Sequence, residues 1–442
     1  MIHADPPFFK VGQRVLLKKI STMKKAVLTT FIQILLLPFM LIPFIATAQL
    51  DQWRGPERNG IYPEKNLLDA WPENGPELLL TVEGIGTGWS SAVTNDKAIF
   101  ITGMKDTLDY LTSIDYSGKI NWQVPYGRSW NQAFQDTRCT PTIEGNRIYV
   151  ISGTGRLGCF DATNGKEIWG VDVDKQFETK YGGFGLSESP LIVDNKVICT
   201  PIGKKAAIVA FDKNTGKLIW QSKSIIGQRG LASPILYHYK NFRYILSQSS
   251  DDVFATNPDN GEIVWTFKFY KKELEKDMGG NTSPNTPIFK DNEIFITKGY
   301  DYPAYMLQLA SNGKSVSEKW MNRTLDCHHG GVVLIDGFIY GSNWVNNSKG
   351  NWVCLKWDTG EVMYETSWIN KGSIISADNK LFCYEEKSGN VGLVKPNPQK
   401  FEVISSFKVG KGTGMYWAHP MIKNGKLFIR HGTFLLVYNI KK

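Results

Sequence analysis

Three features of the chain predict an all-β fold, an eight-bladed β-propeller of four-stranded antiparallel blades closed by its N-terminal strand. A turn glycine followed by a short strand ending in Trp recurs, from Gly118 to Trp122, Gly165 to Trp169, Gly216 to Trp220 and Gly261 to Trp265. A second turn precedes it in each unit, at Glu144-Gly145-Asn146, Asp194-Asn195, Asp291-Asn292, Asp336-Gly337, Asp378-Asn379 and Asn424-Gly425. The last unit stops one strand short, and an unclaimed strand-like run lies at the opposite end of the repeats, at residues 77–82.

The first turn reads Asp161-Ala162-Thr163-Asn164-Gly165, Asp212-Lys213-Asn214-Thr215-Gly216, Asn257-Pro258-Asp259-Asn260-Gly261 and Asp358-Thr359-Gly360. Asp or Asn leading to Gly between alternating apolar runs is a hairpin signal, because glycine takes positive φ without a Cβ clash. Gly313 and Gly360 continue the series, with successive spacings of 47, 51, 45, 52 and 47 residues. Two hairpins per unit at that period make one four-stranded antiparallel sheet. Units begin near Ser90, Cys139, Ser189, Ser233, Thr286, Gly331, Ser373 and His419, which is eight. Residues 77–442 then allow about 46 positions per blade. A blade left with three strands would present an open edge, and donating residues 77–82 to it closes the ring. The repeated Trp belongs on the outer strand, where the wedge between blades widens. Apolar residues alternate at period two, with no sustained helical stripe beyond the N-terminal apolar run, which excludes an α-solenoid.

The first 48 residues are expected to stand apart. Met23-Lys24-Lys25, an apolar run from Ala26 to Ile45, and Ala46-Thr47-Ala48 read as a secretory signal peptide with Gln49 as the first mature residue. Residues 1–22 read as an over-long start, 49–76 as an extended segment and 77–442 as the propeller. The mature protein is therefore expected in the periplasm or outside the cell, with no membrane span. Of the formal charge of +9, residues 1–48 supply +5, leaving +4 over 394 residues and no basic block. That balance gives no case for a nucleic-acid partner. Six cysteines lie in the mature part, and Cys159 and Cys354 share one repeat position, as Cys199 and Cys383 share another. Small apolar side chains packed between sheets explain this better than disulfides.

The Asp-x-x-x-Gly-x-x-x-Trp units resemble the PQQ-like repeat shared by quinoprotein alcohol dehydrogenases and the BamB-like propeller subunit of the outer-membrane β-barrel assembly machinery. Trp53-Arg54-Gly55-Pro56 with Asn59-Gly60, Trp71-Pro72-Glu73-Asn74-Gly75-Pro76, His328-His329, the run from Asp336 to Gly341 and Lys371-Gly372-Ser373-Ile374-Ile375 are similar to a group of exported bacterial PQQ-like propellers. The resemblance covers residues 51–442 and implies the fold rather than an activity. In the dehydrogenases, a Glu, an Asn and an Asp near the axis hold calcium beside the quinone. Glu188 and Asn281 stand at corresponding axial positions, without an alignable Asp and without an adjacent cysteine pair, so a PQQ-and-calcium site stays open as an alternative.

Loops that leave an outer strand and re-enter at the next innermost strand gather around the axis at one end of a propeller. Here they carry Trp89, Arg128, Trp130, Arg138, Glu188, Arg229, Asn281, His328, His329, Trp417 and His419. A funnel lined by Arg, His, Glu and Trp suits a polar ligand, a carbohydrate among them. The same residues would equally serve to tie loops together. Gly84-x-Gly86-x-Gly88 and Gly410-x-Gly412-x-Gly414 lack the following helix of a phosphate loop and read as tight crossings between blades. Asp326-Cys327-His328-His329 holds metal-ligand types in a row but has no partner cluster, so no metal site is assigned. The reading is an exported scaffold that binds a small polar ligand or an envelope protein. The alternative is a PQQ-dependent alcohol or sugar dehydrogenase, or another carbohydrate-active enzyme.

Overall fold

The chain divides into two compact units, Met1–Thr47 and Ala48–Lys442. The computed structural model describes Met1 and residues 50–442 except 180, 226 and 270–282. The expected signal segment and Asn281 therefore lie outside the described residues.

The second unit is the expected ring of eight sheets. Blade 1 runs from Val93–Thr94 through Ile99–Lys105 and Leu108–Ile114 to Ile120–Arg128, and the next six repeat that order from the axis outwards. Blade 8 has Met421–Lys423, Lys426–His431 and Phe434–Asn439 from the C-terminal end of the chain. Its outer strand is Leu78–Val82, with Leu80 opposite Val437 and Val82 opposite Leu435. The ring is closed by its own N-terminal strand.

Burial follows position in the blade. Lys196–Cys199 and Gly372–Ala377 are buried along their whole length, as strands covered on both faces must be. Outer strands such as Glu167–Asp172 bury one side chain in each short stretch, here Trp169. The register between third and fourth strands slips by one residue just after the aromatic position, at Cys159/Phe160, Ala210/Phe211, Ala255/Thr256, Met306/Leu307 and Cys354/Leu355. A bulge there re-aims the preceding side chain. The Trp swings onto the turn glycine of the next blade: a Cβ on Gly165 would lie 2.6 Å from Trp122, and one on Gly216 2.6 Å from Trp169. Those glycines also have φ near +70°. For Trp169 and Trp220 the indole N–H also donates into the neighbouring turn, to Lys213 O at 3.1 Å and to Pro258 O at 2.9 Å. Asp-x-x-x-Gly and Trp are thus two halves of one joint between blades. Cys159 and Cys354 sit opposite Trp169 and Tyr364, which explains their shared position, and all six cysteines are buried and unpaired. The apolar clusters accordingly lie between adjacent blades rather than in one central core.

The segment before the closing strand has a second role. Leu50–Asp51 pairs antiparallel with the innermost strand of blade 2, and Ile61–Tyr62 pairs parallel with that of blade 7. Residues 53–60 therefore cross the axial channel. Arg58, fully buried, donates to Ser189 O and Pro234 O at 3.0 Å, to Thr142 Oγ1 at 3.3 Å and to Pro190 O, at the inner ends of blades 2, 3 and 4. Arg54 donates to Val332 O at 2.7 Å and Ile374 O at 3.0 Å, on blades 6 and 7, and to His419 Nδ1 at 3.1 Å. Gly60 and Gly331, both at positive φ, make room for its guanidinium, since a Cβ on either would come within 2.3 Å of it. Among the described residues neither arginine pairs with a carboxylate; mainly backbone carbonyl oxygens hold both charges. Burial pushes their pKa values down, to about 10 for Arg54 and about 9 for Arg58.

Candidate functional site

The loops joining each outer strand to the next inner strand lie at one end of the channel, and with the loops between second and third strands they carry a continuous row of rings. Trp344 meets Tyr300 at 5.2 Å, and Tyr300 meets His328 at 4.6 Å. His328 meets His329 at 4.5 Å, and His329 meets Trp417 at 5.3 Å. Trp417 then touches Trp89 at 4.8 Å and Phe134 at 5.8 Å, and Phe134 touches Phe184. The blade crossings and second-to-third-strand loops of most of the ring contribute to this arc. Phe134 and Met415, two residues from Trp417, are each about half exposed at its end.

The histidines have distinct environments. His419 receives a hydrogen bond from Arg54 on Nδ1, and its Nε2 lies 2.8 Å from His329 O. A guanidinium only donates and a carbonyl only accepts, so His419 is the neutral Nε2–H tautomer. Burial, with Arg54 beside it, holds its pKa well below the usual imidazole range. His328 places Nε2 2.7 Å from Tyr300 Oη, while its Nδ1 is buried without a hydrogen-bond partner. Burial, then the proximity of His329 and Lys371, keeps His328 neutral as well. His329 points Nε2 at Glu386 Oε2, 3.2 Å away. The same carboxylate takes Lys371 Nζ at 2.8 Å, and that ammonium also donates to Asn346 O and Asn347 O. Burial raises the Glu386 pKa, but His329 and Lys371 outweigh it and leave the group below the usual carboxylate range.

Of the residues singled out from sequence, Trp89, Arg138, His328, His329, Trp417 and His419 gather along this arc. Arg138 stacks its guanidinium 5.1 Å from the Trp89 ring and donates to Phe134 O and Phe184 O, so it shapes the loops as well as lining them. Trp130 is buried against Tyr181 and Gly185 inside the loop layer. Glu188 is buried, its two oxygens accepting from Thr200 N at 3.0 and 3.1 Å and also from Thr200 Oγ1. Burial raises its pKa, with Arg229 and the Thr200 bonds opposing. Arg229 lies beneath the loops, paired with Asp174 at 2.7 Å. Arg128 ends the outer strand of blade 1 and is exposed. Sequence reasoning missed Phe134, Tyr300, Trp344, Lys371, Glu386 and the two channel arginines. The only available signal for the last was the run Trp53-Arg54-Gly55-Pro56-Glu57-Arg58-Asn59-Gly60.

A quinone and its calcium do not fit this set. The channel is filled by residues 53–60, and Glu188 already accepts from Thr200 through both oxygens with Arg229 beside it. Among the described residues, no three His, Cys, Asp or Glu converge as metal ligands. No helix among them is long and apolar enough to cross a membrane.

The family described as outer membrane protein assembly factor BamB matches residues 109–391. A protein of that name from Burkholderia pseudomallei (strain K96243) is 23% identical over 159 residues, which is 34% of this chain and 38% of the relative. The quinohemoprotein alcohol dehydrogenase ADH IIB of Pseudomonas putida is 24% identical over 211 residues, covering 44% of this chain and 29% of that enzyme. The chain thus spans well under two thirds of either relative's length. The crystal structure of BamB from Moraxella catarrhalis superposes with a TM-score of 0.59 at 15% identity, covering 82% of this chain and 99% of that one. At that identity the superposition speaks for the fold alone.

Proposed function

The chain belongs to the family described as outer membrane protein assembly factor BamB, and from that premise we propose that it is an exported interaction scaffold of the cell envelope. The observation that carries this reading is the ring-lined arc around Trp417, on loops contributed by much of the propeller, above a channel sealed by residues 53–60. Half-exposed Phe134 and Met415 beside Trp89 and Trp417 form the kind of apolar surface that marks an interaction site. Arg138 and His329 supply a polar rim to it, with Glu386 buried behind His329. The opposite end offers mainly hairpin turns occupied by their own Asp and Asn side chains, such as Asp161 and Asp212. A redox role is the weaker reading, because the residues at the axis do not suit a quinone.

A photo-crosslinking residue placed at Trp417 in the full chain, in the native cell envelope, tests the reading. It should yield a discrete adduct with an envelope protein, while the same residue at Asn164, on the opposite end, should not. No adduct at Trp417, or equal adducts at both positions, would refute it. Absorbance of the purified protein gives the second arm, since a stoichiometric quinone chromophore would restore the dehydrogenase alternative.

A further inference from the structure

One end of the arc is held by a single carboxylate. Asp326 lies buried in the crossing from blade 5 to blade 6. Its Oδ2 accepts from Asp301 N at 2.9 Å and its Oδ1 from Trp344 N at 3.0 Å. The first donor stands on the loop 297–303 of blade 5, the second on the loop 343–351 of blade 6. Those loops carry Tyr300 and Trp344, whose rings meet at 5.2 Å, and Tyr300 Oη lies 2.7 Å from His328 Nε2. The blade 5 loop is also strained. Gly299, Tyr300 and Asp301 are consecutive left-handed residues, at φ of 80°, 58° and 62°, and Tyr302 N closes the turn on Gly299 O at 3.1 Å. Two of the three carry a Cβ, and such backbone persists only where its surroundings hold it. The turn lies directly on the next segment, since a Cβ on Gly299 would come 2.8 Å from His328 Cα.

Only the ionised carboxylate accepts through both oxygens. A proton turns one of them into an O–H donor facing an N–H, and the two backbone donors are left with one good acceptor. The surroundings place that change near neutrality. Burial pushes the Asp326 pKa up to about 7, against the bonds from Trp344 and Asp301, and the exposed Asp301 carboxylate adds to the rise. Cys327 and His328, next along the chain, stay uncharged, the thiol pushed up to about 12 and the imidazole held well below its usual range by burial. Arg54 acts on Cys327 and Lys371 on His328. Lys298, on the blade 5 loop, turns Nζ to Ser250 O, and Lys349, the one ionisable residue of 343–351, is exposed.

We propose that Asp326 is a pH-sensitive latch on the arc: ionised, it holds Tyr300 and Trp344 in the row of rings, and protonated, it releases the strained turn at Gly299–Asp301. The latch rests on the geometry of the two loops and not on the scaffold reading; where that reading holds, acid loosens the surface offered to a partner. Hydrogen exchange of the full chain, resolved at the Asp301 and Trp344 amides and corrected for intrinsic chemistry, reads the two latched donors directly. Between about pH 8 and about pH 5.5 the Asp301 amide should open at least about tenfold faster, while ladder amides of blade 6 stay protected. The midpoint should fall near pH 7. Asp326→Asn, with one acceptor oxygen at every pH, should exchange fast throughout and lose the transition. His329→Gln should keep it, which separates Asp326 from the imidazole of the arc. Asp301→Asn should move the midpoint to lower pH, and it keeps the test open if Asp326→Asn does not fold. Exchange that follows intrinsic chemistry throughout, a transition that survives Asp326→Asn or vanishes in His329→Gln, or a midpoint unmoved by Asp301→Asn would each overturn the proposal. No partner takes part in this measurement, so it and the crosslinking at Trp417 succeed or fail separately.

Discussion

Arg58 offers the most direct test of how the ring is held. Truncating it to Ala removes the donors to Ser189 O, Pro234 O, Thr142 Oγ1 and Pro190 O, together with the 2.7 Å bond to Gln52 Oε1. Pro190 O keeps its 2.6 Å bond from Thr142 Oγ1, but Ser189 O, Pro234 O and Gln52 Oε1 lose the guanidinium. Buried acceptors without partners cost about 1–3 kcal/mol each, and release of the desolvated cation offsets part of that. The expected loss is about 3–5 kcal/mol. Equilibrium urea unfolding followed by tryptophan fluorescence would measure it as a fall in midpoint at unchanged slope. Arg58→Lys should be intermediate, because a single ammonium cannot span acceptors on blades 2, 3 and 4 as a planar fork does. Arg128→Ala, on an exposed strand end, should stay within about 0.5 kcal/mol of the parent. If Arg58→Ala were as mild as Arg128→Ala, the channel segment would be a passenger and not a brace.

Two further perturbations separate effects that the fold combines. Gly216→Ala and Gly118→Ala both impose a left-handed residue, costing about 1–2 kcal/mol each, but only the first drives a methyl into a neighbouring indole, 2.6 Å from Trp169 against 3.5 Å from Leu80. Gly216→Ala should therefore lose about 1–3 kcal/mol more in urea unfolding, and equal losses would disprove the joint between blades. Lys298 is buried with Nζ 2.7 Å from Ser250 O and 3.9 Å from the Tyr302 ring centroid; burial pushes its pKa down to about 8, with Asp251 opposing. Between pH 8 and about 10.5 the unfolded chain holds this proton and the folded chain does not, so stability should rise with pH across that window, by up to about 3 kcal/mol. Lys298→Met should flatten this component in the difference between the two pH profiles, and a difference without slope would exclude Lys298 as its source.

Much of the candidate site could be read as a set of residue types on a predictable face. Trp89, His328, His329, Trp417 and His419 do gather there, because any loop re-entering at an inner strand is carried to the axis. What could not be read was which polar groups reach that surface. Glu188 and Arg229 stand in similar loops but turn inward, where Glu188 accepts from Thr200 and Arg229 pairs with Asp174. Those partners lie elsewhere along the chain and become neighbours only when the blades assemble.

The repeat itself is written in local sequence. Hairpin turns, period-two alternation and, in four units, a Trp at constant distance from a turn glycine are local features, and the eight repeat units they mark out specify blade number and closure. The segment carrying Trp53 to Gly60 is different. It occurs once, has neither a strand nor a helix period, and its two arginines would ordinarily be placed in solvent. Only the closed ring brings together the carbonyls of residues 189, 190 and 234 for Arg58, and of residues 330, 332 and 374 for Arg54. Tertiary structure decided that the channel is filled, because the sockets that make burying those charges tolerable are built from backbone oxygens more than a hundred residues away.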